Sequence, residues 1–260
     1  MESRLVQETQ PQGPEQEQEP EERKVAMVVV AHPDDAEFGS AGTLAKWAKE
    51  GWDVYQVIVT DGASGGSDEA TEVGPEARRK MTATRKAEQR KAAEVLGVKD
   101  VIFLDYPDGE VQPTLELRKD IVRLLRTYRP TRVICPSPDR TWTPAYAIGR
   151  YHPDHLAVGQ AAMAAVYPAS QNPWDFPELL QQGLGPHKIK ELYVAGAPVI
   201  NHAVDISDTI DQKIEALRAH HSQLGDHMEQ IEEWIRGGSA KAGEEYNMGY
   251  AERFHFSENR

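Results

Sequence analysis

The sequence predicts an α/β fold in which a doubly wound, mainly parallel sheet of about five to six strands carries helices on both faces. Strand-like apolar runs and amphipathic helical segments alternate along most of the 260 residues, the order that builds parallel sheets. The first apolar run, from Val25 to Ala31, shows no polar alternation, so both of its faces are expected to be buried. His32-Pro33-Asp34-Asp35 follows at once, and open α/β sheets bind ligands at the carboxyl ends of their strands.

Composition and length indicate one large domain preceded by a tail. Hydrophobic residues make up 39% of the chain, enough for a substantial core, and residues 25–260 are expected to form a single domain. Residues 1–24 are rich in Glu, Gln and Pro and hold seven acids and three bases. They offer little apolar surface to offset the entropy lost on ordering, so a disordered acidic tail is expected.

Net charge, the length of the apolar runs and the cysteine content argue against several classes of protein. A net charge of −13 argues against nucleic acid as a partner, because phosphate binding needs a basic surface. No run reaches the roughly 18 apolar residues of a membrane span, and the first residues lack a secretory signal pattern. The one cysteine, Cys135, lies in an apolar run and is expected to be a buried structural thiol. These points fit a cytoplasmic protein.

The remaining elements follow from local patterns. Glycines 39 and 42 are expected to turn the chain into a first helix. Gly97 is expected to end a long helix as its C-cap, and Ser207 to cap a later one. Further strands are predicted over 54–60, 101–104, 132–135, 192–195 and 202–206, and helices over 44–48, 76–96, 115–128, 156–166, 210–217 and around 231–234. Three irregular segments, 62–75, 137–151 and 168–190, are expected to line a pocket.

Two clusters of histidine and aspartate carry the candidate chemistry. The second is His152-Pro153-Asp154-His155, at the start of a predicted helix. Hydrolytic zinc sites use three protein ligands from His, Asp or Glu and keep a position open for water. His32, Asp35 and His155 supply such a set, which leaves Asp34 free as a base and His152 free to act from the far side.

Other polar residues are open to two interpretations. Arg85 and Glu88 share a helix face that is either solvated or directed at the site. Asp108 is either a turn residue of Pro-Asp-Gly or another acid at the end of a strand. The glycines of 62–66 do not form a P-loop, because no Gly-Lys-Ser/Thr follows them, and the G-x-G-x-x-G dinucleotide pattern is missing from the first turn.

Together the motifs resemble those of the LmbE-like, or PIG-L, de-N-acetylases. Ala31-His32-Pro33-Asp34-Asp35 with Glu37 is similar to the family's first signature, and the second cluster to its second. Many members carry the glutamate one residue earlier, where this chain has Ala36, so a role for Glu37 is left open. Supporting similarity covers the chain from Val25 to Phe254, through Thr60-Asp61-Gly62, Arg85-x-x-Glu88, 92–97, 104–109, Asp205-Ile206-Ser207, Lys213, His221-Ser222-Gln223 and Glu252-Arg253-Phe254.

The resemblance implies a Rossmann-like sheet and zinc-dependent removal of an acyl group from an amino sugar, such as an N-acetylglucosamine conjugate. It implies that the metal is held by His32, Asp35 and His155, with Fe²⁺ or another divalent ion as an alternative to Zn²⁺. Further roles implied are Asp34 as general base and acid, His152 as oxyanion stabiliser, Asp154 as a residue orienting His152 or a ligand, and Arg85 and Asp108 as substrate contacts.

Two other functions remain open at this point. One keeps the metal but hydrolyses a thiol–sugar conjugate or another amide. The other is a metal-free module that binds a sugar or nucleotide, although a binder has no use for an open metal position. Among partners, a small-molecule amino sugar is expected, and the sequence leaves homo-oligomer formation open.

Overall fold

One mixed sheet organises the molecule. The computed structural model describes residues 23–67, 69–142 and 151–260. Within them seven strands pair in the spatial order β3-β2-β1-β4-β5-β7-β6. The strands are β1 (Val25–Val30), β2 (Asp53–Thr60), β3 (Asp100–Tyr106), β4 (Arg132–Pro136), β5 (Glu191–Ala195), β6 (His202–Asp205) and β7 (Ala251–Glu258). The first five pair in parallel, and β7 runs antiparallel to both β5 and β6.

Helices cover both faces of this sheet. They are α1 (Asp35–Gly39), α2 (Ala41–Lys49), α3 (Pro75–Leu96), α4 (Leu115–Tyr128), α5 (Pro153–Ala164), α6 (Pro177–Gln181), α7 (Ile210–Arg218), α8 (His221–Leu224) and α9 (Met228–Glu244). In the part of the chain that the structure describes, no helix is long and apolar enough to cross a lipid bilayer. The predicted α/β architecture is therefore confirmed, with more strands than the five to six expected.

The unbroken apolar character of β1 follows from its position between two helical layers. Its residues 25, 27 and 29 join a core cluster with Leu117 of α4 and Val158 of α5. Residues 26, 28 and 30 join the opposite cluster, with Leu44 of α2 and Ile214 of α7. Successive side chains of a strand point to opposite faces, so a strand covered on both sides is apolar at every position.

The extra strand is β7, which the sequence analysis treated only as a Glu-Arg-Phe motif. It lies between β5 and β6 and buries Phe254 completely. Its charged residues do not follow the alternation expected of a strand. Arg253 is exposed and donates a hydrogen bond to Glu245, whereas Glu252 is buried and accepts one from Lys213. A buried ion pair inside a strand breaks the polar-out alternation by which strands are recognised.

Some local expectations were wrong. Gly39 lies at the break before α2, the helix predicted over 44–48, but Gly42 does not precede that helix because it lies within it, and the unpredicted α1 already begins at Asp35. Gly42 is instead a close-packing position, since a Cβ there would lie 2.8 Å from Ile206. Ser207 does not cap α7; Thr209 precedes that helix, and the Ser207 hydroxyl donates to Asp205.

The expected irregular segment 168–190 contains the short helix α6. The C-cap predicted at Gly97 is confirmed by its left-handed φ of +73°. Most of the predicted tail, residues 1–22, lies outside the described residues, as do Asp68 and residues 143–150 of the expected pocket segments.

Candidate metal centre

The histidine and aspartate clusters meet at the carboxyl edge of the sheet, where the direction of winding changes. β1 pairs with β2 on one side and with β4 on the other, so the two halves of the sheet diverge here. His32 follows β1, Asp108 follows β3, and His155 lies in the first turn of α5, beyond β4. Residues more than 100 positions apart are thus brought within hydrogen-bonding distance.

The side chains of His32, His155 and Asp35 form a triangle in which each histidine approaches a different oxygen of the carboxylate. Nδ1 of His32 lies 3.2 Å from Nε2 of His155 and 3.4 Å from Oδ2 of Asp35. Nε2 of His155 lies 3.1 Å from Oδ1 of Asp35. Ligands about 2.0–2.1 Å from a tetrahedral zinc ion are about 3.3–3.4 Å apart, so these three side chains lie close enough together to share one ion through either oxygen of Asp35.

Two other groupings around His32 are less suited to hold an ion. Asp108 and Asp154 approach Nε2 of His32, at 3.1 and 3.2 Å, on the side of the ring opposite to Nδ1. Asp154 is fully buried and already accepts hydrogen bonds from the N–H groups of Gly109 and Val111. His152 joins a looser group with His32 and His155, whose nitrogens lie within 4.8 Å of one another.

The two inner carboxylates instead fix the orientation of His32. When Nε2 carries the proton and donates it to Asp154 or Asp108, the lone pair of Nδ1 faces the triangle. A carboxylate behind the ring also makes the imidazole a stronger donor toward a metal. Asp154, predicted to orient His152 or a ligand, therefore lies behind the ligand candidate His32.

The charges of the cluster favour a cation at its centre. Burial alone would lower the pKa of His32, but its carboxylate neighbours outweigh burial and raise that pKa to about 11. Burial would raise the pKa of Asp35, but hydrogen bonds from His155 and His32 hold it well below its usual range. The site thus attracts positive charge, which either protons or a divalent ion can supply.

Asp34 adopts a backbone conformation that separates it from Asp35. Its φ is +96°, a left-handed value that costs a non-glycine residue about 1–3 kcal/mol. Its carboxylate lies 3.3 Å from Nη2 of Arg85. Burial and the charge of Asp35 raise the pKa of Asp34 to about 7, against the opposing charge of Arg85. A carboxyl with that pKa can accept and return a proton near neutral pH.

His152 stands beside the triangle as a hydrogen-bond donor. It precedes α5, and its Nδ1 accepts a hydrogen bond of 3.2 Å from the N–H of Asp154. In the neutral ring the proton is therefore on Nε2. Burial, followed by the charge of His32, lowers the pKa of His152, which favours this neutral form. Its ring centroid lies 4.7 Å from that of His32.

The two expected substrate contacts are largely engaged within the protein. Arg85 is buried and donates to the carbonyl oxygens of Pro33 and Gly62 as well as to Asp34. Asp108 accepts from the N–H of Ser64 in addition to facing His32. Burial raises the pKa of Asp108, but the hydrogen bonds with His32 and Ser64 and the charges of His32 and Arg85 together outweigh it, and the net shift is downward. Whether either residue also contacts substrate stays a prediction.

The solvated interpretation of the face shared by Arg85 and Glu88 is wrong. Arg85 is 4% exposed and Glu88 is 9% exposed. Glu88 accepts two hydrogen bonds from Ser222, and the neighbouring Gln223 donates to the carbonyl oxygen of Gly65. A Cβ at position 65 would lie 2.5 Å from Nη1 of Arg85, so only glycine lets the 62–66 loop lie on that guanidinium.

Sequence reasoning missed a buried polar network beneath Asp34. Its members, all fully buried, are Glu37, Gln56, Gln89 and His220. Gln56 gave a signal, because an amide within the apolar run of β2 needs a buried partner. Gln89 and His220 gave none, since a single polar residue on a helix is usually solvated.

The fold and this geometry define a class of protein: an α/β sheet with a candidate site for a metal ion at its switch point. The chain belongs to the PIG-L family: the family profile described as GlcNAc-PI de-N-acetylase matches residues 27–166. The resemblance found in the motifs is thereby confirmed.

Relatives similar to most of this chain agree with the family assignment. The diacetylchitobiose deacetylase of Thermococcus kodakarensis is 34% identical over 236 residues, which cover 90% of this chain and 83% of that protein. A probable N-acetyl-alpha-D-glucosaminyl L-malate deacetylase 2 of Bacillus anthracis is 28% identical over 204 residues, 76% of this chain and 80% of that protein. The solved N,N'-diacetylchitobiose deacetylase from Pyrococcus horikoshii has a TM-score of 0.80 and 31% identity, covering 90% of this chain and 84% of its own.

Proposed function

We propose that this chain is a zinc-dependent hydrolase that removes the N-acetyl group from an N-acetylglucosamine conjugate. The observation that carries the proposal is the triangle of His32, Asp35 and His155, next to Asp34, whose carboxylate pairs with Arg85 and is outside the triangle. The relatives support the substrate class, because they are named as deacetylases of N-acetylated sugars.

The residues present fit a zinc ion. Two imidazole nitrogens and a carboxylate are donors of the kind that hydrolytic zinc sites use, and the nitrogens lie 3.1–3.4 Å from one another or from an oxygen of Asp35, close enough to share one ion. The same donors accept Fe²⁺ or another divalent ion, so the metal used in cells is left to measurement. When bound, zinc supplies Lewis acidity, which lowers the pKa of a coordinated water to about 7 and polarises a carbonyl oxygen.

The side chains around the triangle divide the remaining chemistry. Asp34 takes a proton from the attacking water and returns it to the nitrogen that leaves, because an amine leaves readily only after protonation. Its raised pKa, about 7, lets one group serve in both steps. His152 donates from Nε2 to the amide oxygen, which gains negative charge in the transition state. Asp154 holds His32 in the orientation required by its ligand role.

Substrate contacts are assigned to Arg85 and Asp108 at the inner wall of the site. The relatives' substrates carry a polar group beyond the acetylated sugar, either a second sugar or malate, so a polar conjugate is expected here.

We further propose a cytoplasmic enzyme that acts on a small molecule. Its buried free thiol, Cys135, is compatible with a reducing compartment.

Two measurements on one preparation test the proposal. Elemental analysis should find about one zinc or iron ion per chain, and N,N'-diacetylchitobiose should release amine in a chelator-sensitive reaction. Metal without amine release from any N-acetylglucosamine conjugate would move the enzyme to another amide, such as a thiol–sugar conjugate. No metal after reconstitution would overturn the proposal in favour of a sugar-binding module.

A further inference from the structure

The general-base candidate Asp34 is held by its backbone as well as by its side chain. Its N–H donates a hydrogen bond of 2.9 Å to Oε1 of Gln89, which lies on α3, 55 residues away. The left-handed φ of +96° is unfavourable for aspartate, so the conformation needs outside support. Gln89 provides the contact that this N–H makes, and it is fully buried.

The orientation of the Gln89 amide is set by Glu37. Nε2 of Gln89 donates to Oε1 of Glu37 at 3.0 Å and to Oε1 of Gln56 at 2.9 Å. Nε2 of Gln56 donates to the same oxygen of Glu37 at 2.9 Å. A carboxylate accepts hydrogen bonds and donates none, so both amides must turn their NH₂ groups toward it. That leaves Oε1 of Gln89 as the end that faces Asp34.

We propose that Gln89 and Glu37 are positioning residues for the deacetylation, acting through the backbone of Asp34. This inference rests on the proposed function, because the base role of Asp34 belongs to it. Neither residue touches the metal-ligand triangle in the described structure, so their loss should misplace Asp34 and leave metal binding intact. A misplacement of about 1 Å at a reacting group can lower a rate about 100-fold.

An exchange of the two side chains gives a sharp test. Gln89→Glu alone brings two carboxylates together, and Glu37→Gln alone removes the group that sets the amide orientations. In the double variant Gln56 can turn its amide over, the new glutamine donates to both neighbours, and the new glutamate accepts from Gln56 and from the N–H of Asp34. The hydrogen bonds among residues 34, 37, 56 and 89 and the net charge are then restored, and the amide oxygen of the new glutamine takes the place of the Glu37 oxygen that faces His220.

The experiment compares zinc-loaded wild type, both single variants, the double variant and Thr209→Val. Thr209→Val is the matched control. The Thr209 side chain is buried, and the substitution removes the hydrogen bond that its hydroxyl donates to the carbonyl oxygen of Gly42, far from Asp34. We expect each single variant to keep about one metal per chain and a KM within about twofold, while kcat falls about 10- to 100-fold. The double variant should regain most of the kcat, and Thr209→Val should lower only the Tm.

Hydrogen exchange at the Asp34 amide is read in parallel and does not depend on activity. It should accelerate in each single variant and slow again in the double variant. Unchanged exchange with unchanged kcat in the single variants would overturn the positioning role, as would a double variant no better than the worse single one. Wild-type protein could also prove inactive on every N-acetylated sugar while exchange at the Asp34 amide changes in the variants as expected. That result would overturn the proposed function, but it would support the role of Gln89 and Glu37 in holding the Asp34 backbone.

Discussion

The substitution Asp154→Asn should weaken metal binding and destabilise the fold although it changes one atom of the side chain. The two carboxylate oxygens of Asp154 face three donors: Nε2 of His32 and the N–H groups of Gly109 and Val111. An asparagine has a single acceptor oxygen. Whichever way its amide turns, the NH₂ group points at a buried donor that is left without a partner.

The magnitude follows from that count. In the less costly orientation the amide nitrogen replaces Oδ1 and faces only Val111, whose buried N–H then goes unpaired. One such group costs about 1–3 kcal/mol of folding free energy. Removing the charge behind a metal-ligating histidine lowers metal affinity about 10- to 100-fold, which equals about 1.4–2.7 kcal/mol.

Urea unfolding of the chelated protein and equilibrium metal titration measure the two effects separately. Asp211→Asn is the matched control, because Asp211 makes an exposed ion pair with Arg236 and its loss should cost about 0–1 kcal/mol. Metal affinity within twofold of wild type in Asp154→Asn would show that Asp154 does not orient His32. An unchanged free energy of unfolding would contradict the hydrogen-bond account itself.

Three further outcomes are expected. His32→Ala should retain less than about one-tenth of the metal bound by wild type and should lose activity. The control His227→Ala, at an exposed histidine, should keep both metal and activity. A His32→Ala variant with full metal content and activity would refute the role of His32 as a metal ligand. Asp34→Asn should keep its metal while turnover falls about 10²- to 10⁴-fold, and near-normal turnover would remove the base role. Burial raises the pKa of Cys135 to about 12, so Ellman's reagent should label it only after unfolding.

Local patterns were sufficient for most of the fold. The apolar run of β1, the amphipathic α4 and the Gly97 C-cap are each encoded by neighbouring residues, and the structure confirms them. The candidate ligands were also identified from short motifs, because each lies directly beyond a strand or at a helix start. Their metal-binding roles remain predictions.

Contacts between distant residues could not be predicted in this way. β7 was missed because its partner Lys213 lies 39 residues earlier and accounts for a charge inside a strand. The Ser207 cap was wrong because the chain entering α7 is held by other partners, Ser207 by Asp205 and Thr209 by Gly42. The contacts of Lys213 and Thr209 are tertiary hydrogen bonds that override a local preference, whereas the Ser207 hydroxyl is taken by a local turn to Asp205.

The sequence by itself determined the order of strands and helices, the buried character of the central strand and the two clusters that supply His32, Asp35 and His155. These depend on periodicity and on residues adjacent in the chain. Only the tertiary structure decided which nitrogen of His32 faces the triangle and how Gln89 holds Asp34. Those features depend on hydrogen bonds across 55 to 123 residues, whose partners are chosen by packing rather than by local sequence.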